Sequence, residues 1–92
     1  MKVKLFHPTQ RNTQLVGIEF TDRGDWLELY FSYETIVAFR ERVDKAVVSQ
    51  NFWSVTTGRH LNEIDGGRKE DRVDADAFQT GLDEALYIFF NG

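Results

Sequence analysis

Gln14-Leu15-Val16-Gly17-Ile18-Glu19-Phe20-Thr21-Asp22-Arg23-Gly24-Asp25-Trp26-Leu27-Glu28-Leu29-Tyr30-Phe31 holds two alternating runs joined by a polar break, and its reading decides the fold. Successive side chains of an extended chain point to opposite faces, so Leu15, Gly17 and Glu19 fall on one side and Val16, Ile18 and Phe20 on the other. Asp22-Arg23-Gly24-Asp25 supplies turn chemistry, with Gly24 free to adopt positive φ. In the second run Trp26, Glu28 and Tyr30 share one face while Leu27, Leu29 and Phe31 share the other. The wholly apolar second set is the expected core face. The stretch predicts a β-hairpin with one buried side.

Working outward, Ser32-Tyr33-Glu34 forms a second connection into Thr35-Ile36-Val37-Ala38-Phe39, whose β-branched and aromatic residues suit a strand pairing with its predecessor. Charged residues from Arg40 to Lys45 break the pattern, and Ala46-Val47-Val48-Ser49 resumes it. Upstream, Val3 to Phe6 opens a short strand, and residues 7–13, with Pro8, Gln10 and Asn12, read as a loop. The period then changes. Thr57 is the expected cap of a short helix reaching about Ile64, with Leu61 and Ile64 inward and Gly66-Gly67 ending it. Asp65 to Arg72 reads as a loop. Asp74 stands where an N-cap would, ahead of Ala75, Phe78, Leu82, Ala85, Leu86 and Phe89 on one helical face, and Asp76 favours the positive end of that helix. Gly81 in its middle costs about 1 kcal/mol relative to alanine and marks close packing against the sheet. The predicted fold class is α+β: an antiparallel meander of four to five strands, curved, with the C-terminal helix across one face and the short helix near residues 57–64 closing one end.

The 92 residues suit a single domain with one core, and 41% apolar with 14% aromatic residues is enough to build it on rings. The absence of cysteine excludes disulfides, thiolate metal sites and thiol nucleophiles. No apolar run approaches the roughly 20 residues that cross a bilayer, and the N-terminus lacks a signal-peptide stretch, so a soluble, cytoplasmic protein is expected. A net charge of −4 disfavours non-specific attraction to nucleic acid or anionic lipid.

Catalytic constellations are sparse. His7 and His60 are the histidines, His7 in a polar loop and His60 beside a helix start, where hydrogen bonding is the plainer role. They stand too far apart, with no cysteine between, for zinc. Asp74-Ala75-Asp76 fails as a calcium loop because Phe78, Gln79 and Ala85 occupy ligand or glycine positions. Thr56-Thr57-Gly58-Arg59 lacks the upstream glycine and the lysine of a phosphate loop, although a single anion at the helix start beside Arg59 is compatible with it. No cofactor and no metal are expected. Carboxylates such as Glu19, Glu28 and Glu34 read as solvated strand faces, and Arg68 to Asp74, alternating in sign, as a solvated loop. Arg11, Arg23, Arg40, Arg42 and Lys45 sit near loop ends and could cluster to meet RNA or DNA, but the Trp26 and Tyr30 face sets Glu28 between its rings. Trp53, flanked by polar residues, is expected to plug a corner between sheet and helices, with display as an interface anchor the alternative.

Phe31-Ser32-Tyr33-Glu34-Thr35-Ile36-Val37-Ala38-Phe39-Arg40 followed by Trp53-Ser54-Val55-Thr56-Thr57-Gly58-Arg59-His60-Leu61-Asn62-Glu63-Ile64 resembles a short domain of uncharacterised phage and prokaryotic proteins, over about Leu29 to Ile64. No activity attaches to that domain; the resemblance implies a mobile-element context in which host-directed binding proteins are common. The expected function is therefore a non-enzymatic binder. Its expected partner is a host protein or ribonucleoprotein complex, such as a CRISPR surveillance complex that it inhibits, met in the host cytoplasm without membrane or metal. Trp26, Tyr30, Arg40, Arg42, Arg59 and His60 are the expected contacts. The alternatives are a nucleic-acid-binding accessory protein using the loop arginines, and a small enzyme using His60 with Asn62 or Glu63.

Overall fold

The computed structural model describes the whole chain except Gln10, Asn12, Arg42, Val43 and Gly92. Five strands, β1 (Lys2–Phe6), β2 (Leu15–Asp22), β3 (Asp25–Ser32), β4 (Thr35–Glu41) and β5 (Val47–Val48), form one antiparallel sheet in chain order. Helix α1 (Val55–Asp65), a 3₁₀ turn (Lys69–Asp71) and helix α2 (Ala75–Asn91) follow. The α+β meander with a C-terminal helix is as the alternation predicts. No helix among the described residues is long and apolar enough to cross a membrane.

The β2–β3 hairpin pairs Asp22 with Asp25 around Arg23-Gly24. Both turn residues have positive φ, 51° and 84°, the combination a tight two-residue hairpin turn needs to match strand twist. Between β3 and β4 the register slips: Tyr30 faces Ala38 but Phe31 faces Ile36, so Val37 is the extra residue of a bulge. Val37 and Ala38 consequently both join the cluster on the Tyr30 side.

Leu27, Leu29 and Phe39 pack with Phe78, Leu82 and Ala85 of α2 into one core cluster. An added Cβ at Gly81 would lie 3.3 Å from the Phe39 ring, so this glycine does mark the close approach of α2 to the sheet. On the other face Tyr30, Val37, Ala38 and Val48 pack with Leu61, joined by Phe6 and Ile64. Adjacent strand residues point to opposite faces, so α1 and α2 sandwich the sheet. The short helix thus covers a face where closure of one end was expected. The reason is the cross-strand row Phe6, Gly17, Tyr30, Ala38, Val48, an apolar band that needs a cover. Gly17 is small because Phe6 lies on it: a Cβ there would sit 2.2 Å from the ring.

Three local details differ from the sequence reading. Ser54, not Thr57, caps α1: its Oγ accepts from the Thr57 N–H at 3.2 Å. The expected strand over Ala46–Ser49 narrows to the two residues of β5, after which Ser49 bridges in parallel to Val73 and Gln50 N–H donates to the Val73 carbonyl at 2.8 Å. The expected loop at 65–72 contains the 3₁₀ turn. Gly66, left-handed at φ 69°, ends α1 and donates to the Asn62 carbonyl, and Asp74 Oδ1 accepts from the Ala77 N–H at 2.8 Å to start α2, both as their residue types predict.

Candidate recognition surface

A charged row, Lys4, Glu19, Glu28 and Arg40, crosses four strands on the α1 face in direct register. Glu28 within it is only 6% exposed, and a buried carboxylate must be satisfied. The Tyr30 hydroxyl donates to its Oε2 at 2.5 Å and Arg40 Nη2 to its Oε1 at 3.2 Å. The Arg40 guanidinium in turn lies 5.0 Å over the Trp26 ring. Burial first, and then the bond to Glu28, push the Tyr30 phenol well above its ordinary pKa, so it remains a donor. The fold thus brings Trp26, Tyr30 and Arg40 together in one network, in which Tyr30 is buried and the Arg40 side chain stays 39% exposed. Tyr30 is 8% exposed beneath Phe6, whose ring meets it edge-on at 5.9 Å, so it reaches the outside only as part of a groove wall and not as a displayed ring. A groove of about 490 Å³ opens beside this network, with Arg40, Lys45, Arg68 and Asp71 on its walls.

His60 is fully buried. Its Nδ1 shares a hydrogen bond of 2.7 Å with Ser32 Oγ, which is 3.2 Å from Thr57 Oγ1, and the Tyr33 ring covers it at 5.7 Å. The chain Thr57, Ser32, His60 ties α1 to β3 through two buried side-chain hydrogen bonds. His60 Nε2 has no partner among the described residues, and no carboxylate orients the ring as a general base would require. Neither His60 nor Ser32 lines any groove described here. As a partner contact His60 is corrected by its burial. Desolvation lowers its pKa below 6.5, with Glu63 opposing in part. The unfolded chain therefore takes a proton near pH 6.5 that the folded chain takes only at lower pH, so stability is fully present above that value and is lost as pH falls below it. A proton-NMR titration is expected to place His60 below 6.5, with urea midpoints declining across the same interval.

Arg59 is exposed on α1 and lines a second groove, of about 410 Å³, with Lys69, Asn62 and Gln50. No acid pairs with Arg59 or Lys69 among the described residues. Arg72, on the same wall, is consumed: its Nε donates to Asp65 Oδ2 at 2.7 Å, and its Nη2 to Asp65 Oδ1 at 3.0 Å and to Asn62 Oδ1 at 2.9 Å. Burial alone would raise the Asp65 carboxyl, but the bonds from Arg72 and the backbone N–H groups of Gly67 and Arg68 outweigh it and hold the pKa below the ordinary range. Of the loop cations, Arg40 and Lys45 share the wall of one groove. Arg11 and Arg23 lie at opposite ends of the eight-residue β2, about 25 Å apart at strand rise, and Arg42 lies outside the described residues.

Trp53 does not plug the core. It is 45% exposed beside Phe52 at 57%, their rings edge-to-face at 6.2 Å. The loop that carries them is braced: Asn51 Oδ1 accepts from the Trp53 N–H and its Nδ2 donates to the Ser54 carbonyl, both at 3.0 Å. A Cβ at Gly58 would stand 2.9 Å from that Nδ2, so the glycine in α1 is what lets Asn51 seat. The two rings border a groove of about 550 Å³ between β4 and α2, with Ile36, Phe78, Leu82 and Leu86 on its walls. Sequence reasoning missed Phe52 altogether; the available signal was two adjacent rings inside a polar segment, Gln50-Asn51-Phe52-Trp53-Ser54.

Among the described residues no group of three His, Asp or Glu side chains is placed to hold a metal ion. Residues 1–80 match a family of unknown function, DUF8033, a wider span than the Leu29–Ile64 resemblance. No curated protein and no solved structure matches the chain.

Proposed function

We propose that the chain, which belongs to this family of unknown function, is a non-catalytic binding domain that holds an apolar segment of a protein partner against Phe52 and Trp53. The observation that carries the reading is the braced display of two adjacent rings at the mouth of an apolar groove. Leaving a large side chain in water forgoes roughly 1.5–3 kcal/mol of burial, and a contiguous exposed apolar patch with a pre-ordered loop is what an anchor needs to bind without a large ordering penalty. The sealed His60–Ser32 pair, which lines none of the grooves described above, supports binding over hydrolysis. The phage-type resemblance of Leu29–Ile64 supports a host protein or ribonucleoprotein complex, such as a defence complex, as the partner class.

A random peptide library selected on the immobilised domain is expected to yield binders that lose about 30-fold in affinity for F52A/W53A, in line with the truncation of aromatic anchors. The variant itself is expected to stay folded and to lose no more than about 2 kcal/mol of stability, since each ring is only about half buried. A second reading, contact with a phosphate backbone, is favoured by the unpaired Arg59 and Lys69 in the groove beside α1. If the selection fails while an oligonucleotide binds with steep salt dependence and is lost in R59A/K69A, the assignment passes to that reading.

A further inference from the structure

We infer that the segment seated in the groove beneath Phe52 and Trp53 is basic as well as apolar, an amphipathic stretch whose Lys or Arg side chains meet an acidic rim. The inference rests on the groove being a protein-binding site. All eleven Lys and Arg precede residue 73, where they are matched by eleven of the fifteen carboxylates. The other four, Asp74, Asp76, Asp83 and Glu84, account for the whole net charge of −4 and belong to α2 and its cap. The molecule is therefore polar across the sheet, with the cation-bearing grooves of Arg40, Lys45, Arg59 and Arg68 beside α1 and the unbalanced acids on α2.

The groove takes its character from the acidic side. Phe78, Leu82 and Leu86 present the apolar wall, and Gln79 lies at its margin. Asp76 and Asp83, seven residues apart, occupy the next stripe of the helix surface and are both exposed. Gln79 Nε2 donates to Asp83 Oδ1 at 2.8 Å, which fixes that carboxylate beside the groove. Glu34 lines the groove among residues of β4, and no Lys or Arg among the described residues lines it. An apolar floor, a carboxylate rim and two exposed rings able to take a cation over their faces are complementary to alternating apolar and basic residues, and they repel a phosphate backbone.

The peptide selection described above separates the two claims. Peptides enriched on the parent domain are expected to carry net positive charge, to weaken about tenfold on E34Q/D76N/D83N, and to weaken further with added salt. All three side chains are exposed, and since only the charge of Asp76 at the helix start and the Gln79–Asp83 bond are altered, a thermal melt within about 8 °C of the parent serves as the folding control. If the enriched peptides are neutral or acidic, or bind the triple variant unchanged, yet are lost on F52A/W53A, the inference falls and the binding site stands. If nothing is enriched, or the enriched peptides ignore F52A/W53A, both fall. Self-association or oligonucleotide capture abolished by F52A/W53A would put another occupant in the groove and would likewise overturn the inference.

Discussion

Arg72→Leu is expected to lower the free energy of unfolding by about 3–5 kcal/mol, the range for leaving one member of a buried ion pair without its partner. The Arg72 side chain is 4% exposed and that of Asp65 12%, so water cannot replace the lost bonds. Asp65 would keep the Gly67 N–H at 2.9 Å but lose both guanidinium contacts, and Asn62 Oδ1 would lose its donor. The loss should depend on pH. In the parent the Asp65 pKa is depressed, so its contribution is present above the ordinary value of 3.8 and disappears as pH falls through the folded value. Parent and variant should therefore converge in acid, where both carboxylates are protonated. Urea unfolding at neutral pH and again well below 3.8 measures this, and Asp65→Asn added to Arg72→Leu should recover part of the neutral-pH loss. A neutral-pH difference under about 1 kcal/mol, the scale of a solvent-screened pair, would show that the clasp does not hold the 65–72 segment.

His60→Ala is the second large effect, about 2–4 kcal/mol of destabilisation, as for removing most of a large side chain from a packed site. The ring is 0% exposed and is the only direct hydrogen-bond partner that Ser32 has on α1 besides Thr57 among the described residues. For a domain of this size each kcal/mol moves the melting temperature by about 4–8 °C, so a scanning melt reads the effect easily. The result also discriminates functions. A small enzyme using His60 would lose activity at undiminished stability, whereas the buried linkage loses stability and keeps peptide binding once corrected for the unfolded fraction.

What was legible in the sequence was what hydrophobic period encodes. The hairpin, the meander and the core face of Leu27, Leu29 and Phe31 follow from alternation, and α2 from its stripe and the Asp74 cap. The second face was not legible because alternation records polarity and not satisfaction: Glu28 and Tyr30 look wet on paper, yet each removes the other's need for water. Ser54 and Thr57 are equally good caps by type, and only the seating of Thr57 against Ser32 decides between them. The Asp65–Arg72 clasp hid in a run of mixed charges because it depends on the left-handed Gly66 and Gly67 folding the chain back. Trp53 was read inward because nothing in its neighbours revealed that Asn51, resting on Gly58, would hold its loop outward. Of the expected contact residues, Tyr30 and His60 are interior, Trp26 and Arg40 are partners of each other, and Arg59 stands on the open surface.

The order of the strands has one more implication. Since each strand lies next to its successor along the chain, every ladder closes through a short connection, and the entropy surrendered per closure stays small. All five strands are complete by Val48. A ribosome could thus release the sheet hairpin by hairpin and leave the parallel link from Ser49 to Val73, a pairing that must wait for distant chain, to lock the helical layers on afterwards.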